Sequence, residues 1–150
     1  MKILVLSDSH YDTFTMVGAV EKEKPDIICH CGDHYSDCAA LSRFPDIPLY
    51  DVRGNCDKPG GAPDFREITA EGRKIFMTHG HLYGVKYDLK DLINNAMLRN
   101  ADILLFGHTH YPYLRELDGL YIMNPGAAKN GVYGLVTIDS GHIECRLTSL

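Results

Sequence analysis

The chain has 150 residues, 45% hydrophobic and 23% charged, with a formal net charge of −5. That balance fits a globular protein read as one domain over residues 1–150, and it excludes a broad basic surface for extended nucleic acid. No apolar run approaches the roughly 18 residues of a membrane span, and the four apolar residues before Ser7 and Asp8 are too few for a signal peptide. Five cysteines, an odd count, point to reduced thiols and a cytoplasmic location instead of a disulfide framework.

In the first two-thirds, short apolar runs alternate with helical patterns, as in α/β sheets. "KILVL" predicts a first strand. "DTFTMVGAVEKEK" predicts a helix with Asp12 as N-cap and Pro25 just past its end. "DIICHC" predicts a second strand with Cys29 and Cys31 on one face. A thiolate metal site would want a second cysteine pair, so these two read as small buried hydrophobes, and Cys38 and Cys145 as packing residues.

"SDCAALSRF" predicts a short helix and "PLYDV" a third strand. "FREITAEGRKIFMT" predicts a hairpin turning at Glu71-Gly72. "YDLKDLINNAMLRN" predicts another helix, and "DILLF" a strand. After His110 the pattern changes to "YLREL", "LYIMN", "VYGLVTID" and "HIECRLTS", strands divided by Asp118-Gly119, Pro125-Gly126 and Ser140-Gly141. Two packed sheets with helices outside would bury all these faces.

The polar residues gather just beyond the strands. Asp8 and His10 follow the first, Asp33 the second, Asn55 the third; His79 and His81 follow "IFMT", and His108 and His110 follow "DILLF". Ligands of open α/β sheets bind outside the carboxyl ends of the strands. Carboxylate, imidazole and amide oxygen are donors for divalent manganese, iron or zinc. Asp8, His10, Asp33, Asn55, His79, His108 and His110 exceed what one tetrahedral ion needs, and they suit two ions about 3.5–4 Å apart sharing a carboxylate. His30, inside a strand, and His142, beside a turn, read as structural or solvated; His34 has no spacing argument.

The ordered pattern D-x-H, GD, GN-x-D, H and GH-x-H, from Asp8 to His110, resembles the calcineurin-like metallophosphoesterase superfamily. "VRGNCD", "THGH" and "NPGA" are most similar to its compact YfcE-type phosphodiesterase branch. The resemblance implies a four-layer αββα sandwich of two mixed sheets. It implies a dinuclear phosphoesterase hydrolysing small phosphodiesters by in-line attack of a metal-bound hydroxide.

One ion would be held by Asp8, His10, Asp33 and His110, the other by Asp33, Asn55, His79 and His108, with Asp33 bridging. Manganese is the first candidate, with nickel, iron, zinc and magnesium as alternatives. Asn55, Asp57 and His81 are the expected catalytic group, Asp57 orienting its neighbours and His81 bordering the phosphate.

Two positions depart from the pattern. Cys56 stands where many members carry a histidine able to protonate the leaving oxygen. Ala127 stands where the related "NPGS" segment offers a hydroxyl.

A metallo-β-lactamase pattern fails, because Tyr83 and Gly84 follow "HGH", and no G-x-S-x-G elbow is present. The remaining alternative is a non-catalytic interaction scaffold of the same fold, like the retromer subunit, for which loss of histidine ligands would speak. The expected partner is a small phosphoester substrate, with no membrane and no extended nucleic acid. A homo-oligomer stays open.

Overall fold

Ile3, Leu4, Val5 and Leu6 leave no surface exposed, because both faces of their strand are covered. The computed structural model describes residues 1–150. In chain order it contains β1 (Lys2–Leu6), α1 (Thr13–Glu23), β2 (Ile27–His30), β3 (Leu49–Asp51), β4 (Phe65–Ala70) and β5 (Arg73–Thr78). These are followed by α2 (Lys90–Leu98), β6 (Ile103–Leu105), β7 (Tyr113–Leu117), β8 (Leu120–Asn124), β9 (Val132–Asp139) and β10 (His142–Ser149).

Two five-stranded mixed sheets result, ordered β10-β9-β1-β2-β3 and β4-β5-β6-β8-β7. β1, β2 and β3 are parallel, as are β5, β6 and β8. Alternation along each strand sorts side chains into layers. Ile3 and Val5 of β1 face inward and join Ile75, Met77, Ile103, Leu105 and Met123 between the sheets. Leu4 and Leu6 face outward onto Met16, Ala19 and Val20 of α1. On the other side, Phe76, Leu104 and Ile122 meet Leu92 and Ala96 of α2. The order of layers is αββα, as the resemblance implied.

A slip of one residue in β1 would exchange its two layers, so the register Ile3↔Ile27 to Leu6↔His30 is fixed by packing. The predicted hairpin turns form where expected. Glu71-Gly72, Asp118-Gly119 and Ser140-Gly141 all have positive φ at both residues, as I′-type turns require. Cys29 and Cys31 are fully buried in the core between the sheets, as small hydrophobes. No helix is long and apolar enough to cross a membrane.

The short helix expected over residues 36–44 is present at residues 35–43 and winds as a 3-10 helix. Their apolar anchors Cys38, Leu41 and Phe44 recur every third residue against the α1 side of the core, matching three residues per turn. The helix expected over residues 87–100 spans only Lys90–Leu98, with the Lys90 N–H donating to Asp88 Oδ1 at its start and Asn100 left-handed just beyond its end.

The expected N-cap of α1 is present: Asp12 Oδ1 accepts from the N–H groups of Phe14 and Thr15 at 3.1 and 3.3 Å. Asp12→Ala should therefore lower stability by about 1 kcal/mol in urea denaturation, and Asp12→Asn should recover most of it.

Candidate metal centre

Because β1, β2 and β3 run parallel, and β5, β6 and β8 likewise, each sheet presents its carboxyl ends along one edge. The loops after β1, β2, β3, β5 and β6 carry the predicted residues, and all seven candidate ligands come together there. The backbone is unusual at this edge. Asp8, His10, Asp33, His108 and His110, five of the seven, are left-handed, with φ between 43° and 67°. Such conformations are disfavoured for residues with a Cβ and collect at functional sites. Two glycines allow the loops to touch: a Cβ on Gly54 would collide with Asp33, and one on Gly107 with Ser7 Oγ and Asp8.

Four ligand atoms, one each from Asp8, His10, Asp33 and His110, lie within 4.8 Å of one another. Asp8 is fully buried. Its Oδ2 accepts from Ser7 Oγ at 2.6 Å and from the His108 N–H at 3.1 Å. Its Oδ1 is buried with no hydrogen-bond partner, although it lies 3.1 Å from His110 Nε2. His10 Nε2 and His110 Nε2 face each other at 3.4 Å. Burial above all, and then the charge of Lys129, hold both imidazoles below their ordinary pKa, which favours the neutral form able to bind metal through one ring nitrogen. Burial pushes the Asp8 carboxyl up to about 7.

The second group is equally short of donors. His79 Nδ1 lies 2.8 Å from the Cys31 carbonyl, which fixes that nitrogen as the N–H donor. Its Nε2 then turns a lone pair toward Asn55 Oδ1 and His108 Nδ1, both at 3.2 Å. Burial keeps His79 and His108 neutral. Asp33 stands between the groups, Oδ2 3.7 Å from His10 Nε2 and Oδ1 3.5 Å from His79 Nε2. Burial opposes its charge, but His79 and the Cys56 N–H offset this and leave its pKa below the usual carboxylate value. A proton satisfies two acceptors, whereas a divalent cation satisfies several at once. An oxygen-and-imidazole set with an orphaned buried carboxylate oxygen therefore fits divalent metal.

The surrounding residues hold the loops. Asp57 Oδ1 accepts from the N–H groups of His34 and Tyr35 at 2.8 and 3.2 Å, and its Oδ2 accepts from Gly54 N–H at 2.8 Å. It joins the loop after β3 to the loop after β2. Asn124, buried at the end of β8, donates to the Gly107 carbonyl at 2.8 Å and Thr109 Oγ1 at 3.0 Å, while its own oxygen accepts from Gly126 N–H.

Asp37 Oδ2 accepts from Ser9 Oγ and the Tyr11 N–H, both at 2.8 Å, and His30 Nε2 lies 3.3 Å from Ser9 Oγ. The sequence offered no spacing signal for Asp37 or His30 in this role. "NPGA" had marked Asn124 only as part of a motif.

His81 borders the second group, its ring 5.4 Å from that of His79, with Nδ1 buried and unpartnered. Cys56 is exposed, and its thiol is pushed up to about 11 by burial and by the Asp33 carboxylate. Ala127 is fully buried, so its methyl is sealed from any substrate and the lost hydroxyl matters less than the sequence suggested.

Residues 1–141 match the calcineurin-like phosphoesterase superfamily domain. The probable metallophosphoesterase YsnB of Bacillus subtilis is 35% identical over 132 residues, covering 86% of this chain and 76% of that protein. Phosphodiesterase YfcE of Escherichia coli is 34% identical over 85 residues, covering 51% of this chain and 42% of the relative. Among solved structures, a Vps29 variant from Entamoeba histolytica superposes with a TM-score of 0.78 at 21% identity, covering 100% of this chain and 99% of that one.

The raised pKa of Asp8 has a consequence for the metal-free protein. Between 3.8 and about 7 the folded state holds this proton more tightly than the unfolded state, so this contribution to stability falls as pH rises. With a chelator present, Asp8→Asn should raise the melting temperature at about pH 8, and the gain should shrink steadily toward about pH 5. Thermal unfolding of both proteins across this range is the measurement.

Proposed function

Because the chain belongs to the calcineurin-like phosphoesterase superfamily, we propose that it is a dinuclear metal-dependent phosphodiesterase acting on small esters. The observation that carries this reading is the buried, unpartnered Oδ1 of Asp8 among lone-pair-bearing imidazoles. Asp8, His10, Asp33 and His110 would hold one divalent ion, and Asp33, Asn55, His79 and His108 the other. When bound, the two ions lower the pKa of an attacking water and stabilise charge on the phosphoryl oxygens.

The chain's own residues set the geometry. Asp33 aims one oxygen at each group, and Asp57 and Asn124 fix the loops that carry Asn55, His108 and His110. Arg53, Lys86 and Lys129 lie close enough to depress the neighbouring histidines. Arg53 is paired with Asp64, so the two lysines would draw an anionic ester to the site. His81 stands where it can donate to a phosphate oxygen.

Two grooves favour a diester over a monoester. One is lined by Tyr11, His34, Tyr35, Cys56 and Lys58, the other by Lys86, Tyr87, Thr109 and Tyr111. Both esterified arms can therefore leave the phosphate. The five free cysteines agree with a cytoplasmic setting. The scaffold alternative draws on the Vps29 likeness, and because a Vps29 has been solved with zinc, metal binding alone does not separate the two readings; turnover does.

Purified protein should hydrolyse bis(4-nitrophenyl) phosphate with Mn²⁺ and stop on chelation. Asp33→Ala should lose tight binding of both ions in a metal titration together with most activity. Turnover surviving complete metal removal would overturn the mechanism, and two ions held at undiminished affinity would overturn the bridge.

Cys56 decides leaving-group dependence. A thiol near 11 gives little help to a departing oxygen. Acidic phenols should leave far faster than alcohols, and Cys56→His should raise turnover most for alkyl esters, by as much as the about 10²–10⁴-fold of general acid catalysis. A large loss in Cys56→Ser, greatest for poor leaving groups, would make the thiol the acid.

A further inference from the structure

The loops beyond His81 and His110 expose two tyrosines that the mechanism does not use. Tyr87 is 95% exposed and Tyr111, directly after His110, is 78% exposed; neither ring stacks on another. They border an open groove of about 670 Å³, within the about 300–1,000 Å³ typical of small-molecule sites. Buried Val85 and Phe106 lie along it, and Tyr113 packs its ring 6.2 Å from that of Phe106.

The groove begins at the loop that carries two of the candidate ligands. Thr109, between His108 and His110, belongs to its lining, and Asn124 holds the Thr109 hydroxyl at 3.0 Å. Lys86 is its one cation. Its field reaches the ligand cluster: after burial, the Lys86 charge is the next influence that lowers the pKa of His108. Asp88, the one carboxylate in the lining, already accepts from the Lys90 N–H.

An anion-attracting end beside the ligands, continued by unpaired aromatic faces over an apolar floor, is complementary to a phosphate bearing a planar ring. Rings of any base stack on tyrosine, without sequence selection. We propose that this groove binds one arm of a phosphodiester substrate, that this arm is a nucleoside or a comparable planar aromatic group, and that Tyr87 and Tyr111 hold its ring while Lys86 meets the phosphate. The proposal rests on the phosphodiesterase reading and names the substrate class.

The test compares thymidine 5′-(4-nitrophenyl) phosphate with methyl 4-nitrophenyl phosphate, which share a leaving group and differ only in the retained arm. In the Mn²⁺-loaded protein, kcat/KM should favour the nucleoside ester by about tenfold, mainly through KM, given the about 1–3 kcal/mol that base stacking contributes. The Tyr87→Ala/Tyr111→Ala double variant should bring that ratio near unity. Leu98→Ala, at an exposed apolar residue of α2 outside the groove, should leave it unchanged.

An equal ratio in wild type and double variant overturns the proposal. So does a dimer that the double substitution dissociates in sedimentation while the ratio stays fixed, which would assign the groove to a second copy. If neither ester is turned over, the phosphodiesterase reading fails separately. The groove is then judged by titrating thymidine 5′-monophosphate and following tyrosine ring resonances: shifts at Tyr87 and Tyr111 support the subsite, and their absence rejects it.

Discussion

Seven carboxylate, imidazole and amide groups are held against one another at one edge of the sheets, and much of the surrounding structure serves that constraint. Ring nitrogens and the Asn55 oxygen approach one another to 3.2–3.4 Å, a spacing that a cation among them would stabilise. Holding them requires left-handed backbone at Asp8, His10, Asp33, His108 and His110, at about 1–2 kcal/mol each. The sealed strands β1, β2, β5 and β6 offset this. Their residues pack in three apolar layers, and the loops leave from that rigid frame. Strain at the edge and close packing in the middle are two sides of one arrangement.

Most of this was legible in the sequence because the signals are local. Strand ends are marked where an apolar run meets Asp, His or glycine, and parallel topology then forces those ends to one edge. Turns such as Asp118-Gly119 carry their own backbone preference. The supports were not legible, because they depend on contacts distant in sequence. Asp37 reaches back 28 residues to Ser9, Asn124 reaches 17 to Gly107, and His30 reaches 21 to Ser9. Nothing in "SDC" or "ICH" says where such side chains end.

The 3-10 helix at 35–43 is an intermediate case. Its three-residue apolar period was present in the sequence, and only Ala39, Ala40, Leu41 and Arg43 of its nine residues are strong α-helix formers. The fixed ends decide. Asp57 holds the N–H groups of His34 and Tyr35, Asp37 is drawn to Ser9, and Leu41 is buried against the α1 side of the core. A segment tied at one end and anchored every third residue takes the tighter winding.

Charge explains how an acidic chain can present an anion-attracting site. The net charge of −5 describes the whole surface, while Arg53, Lys86 and Lys129 are placed where their fields reach the histidines. Those charges add to burial in keeping the imidazoles neutral, which is the form that binds metal, and the lysines would draw phosphate. The same fold occurs in Vps29, so the αββα frame alone does not decide between enzyme and scaffold. A Vps29 of this fold has also been solved with zinc, so the acceptor cluster speaks for metal binding first. A buried carboxylate oxygen without a partner costs stability, and hydrogen-bonded or apolar side chains in its place would remove that cost. Retaining that oxygen beside two facing imidazoles is a stability cost that a bound divalent cation would offset.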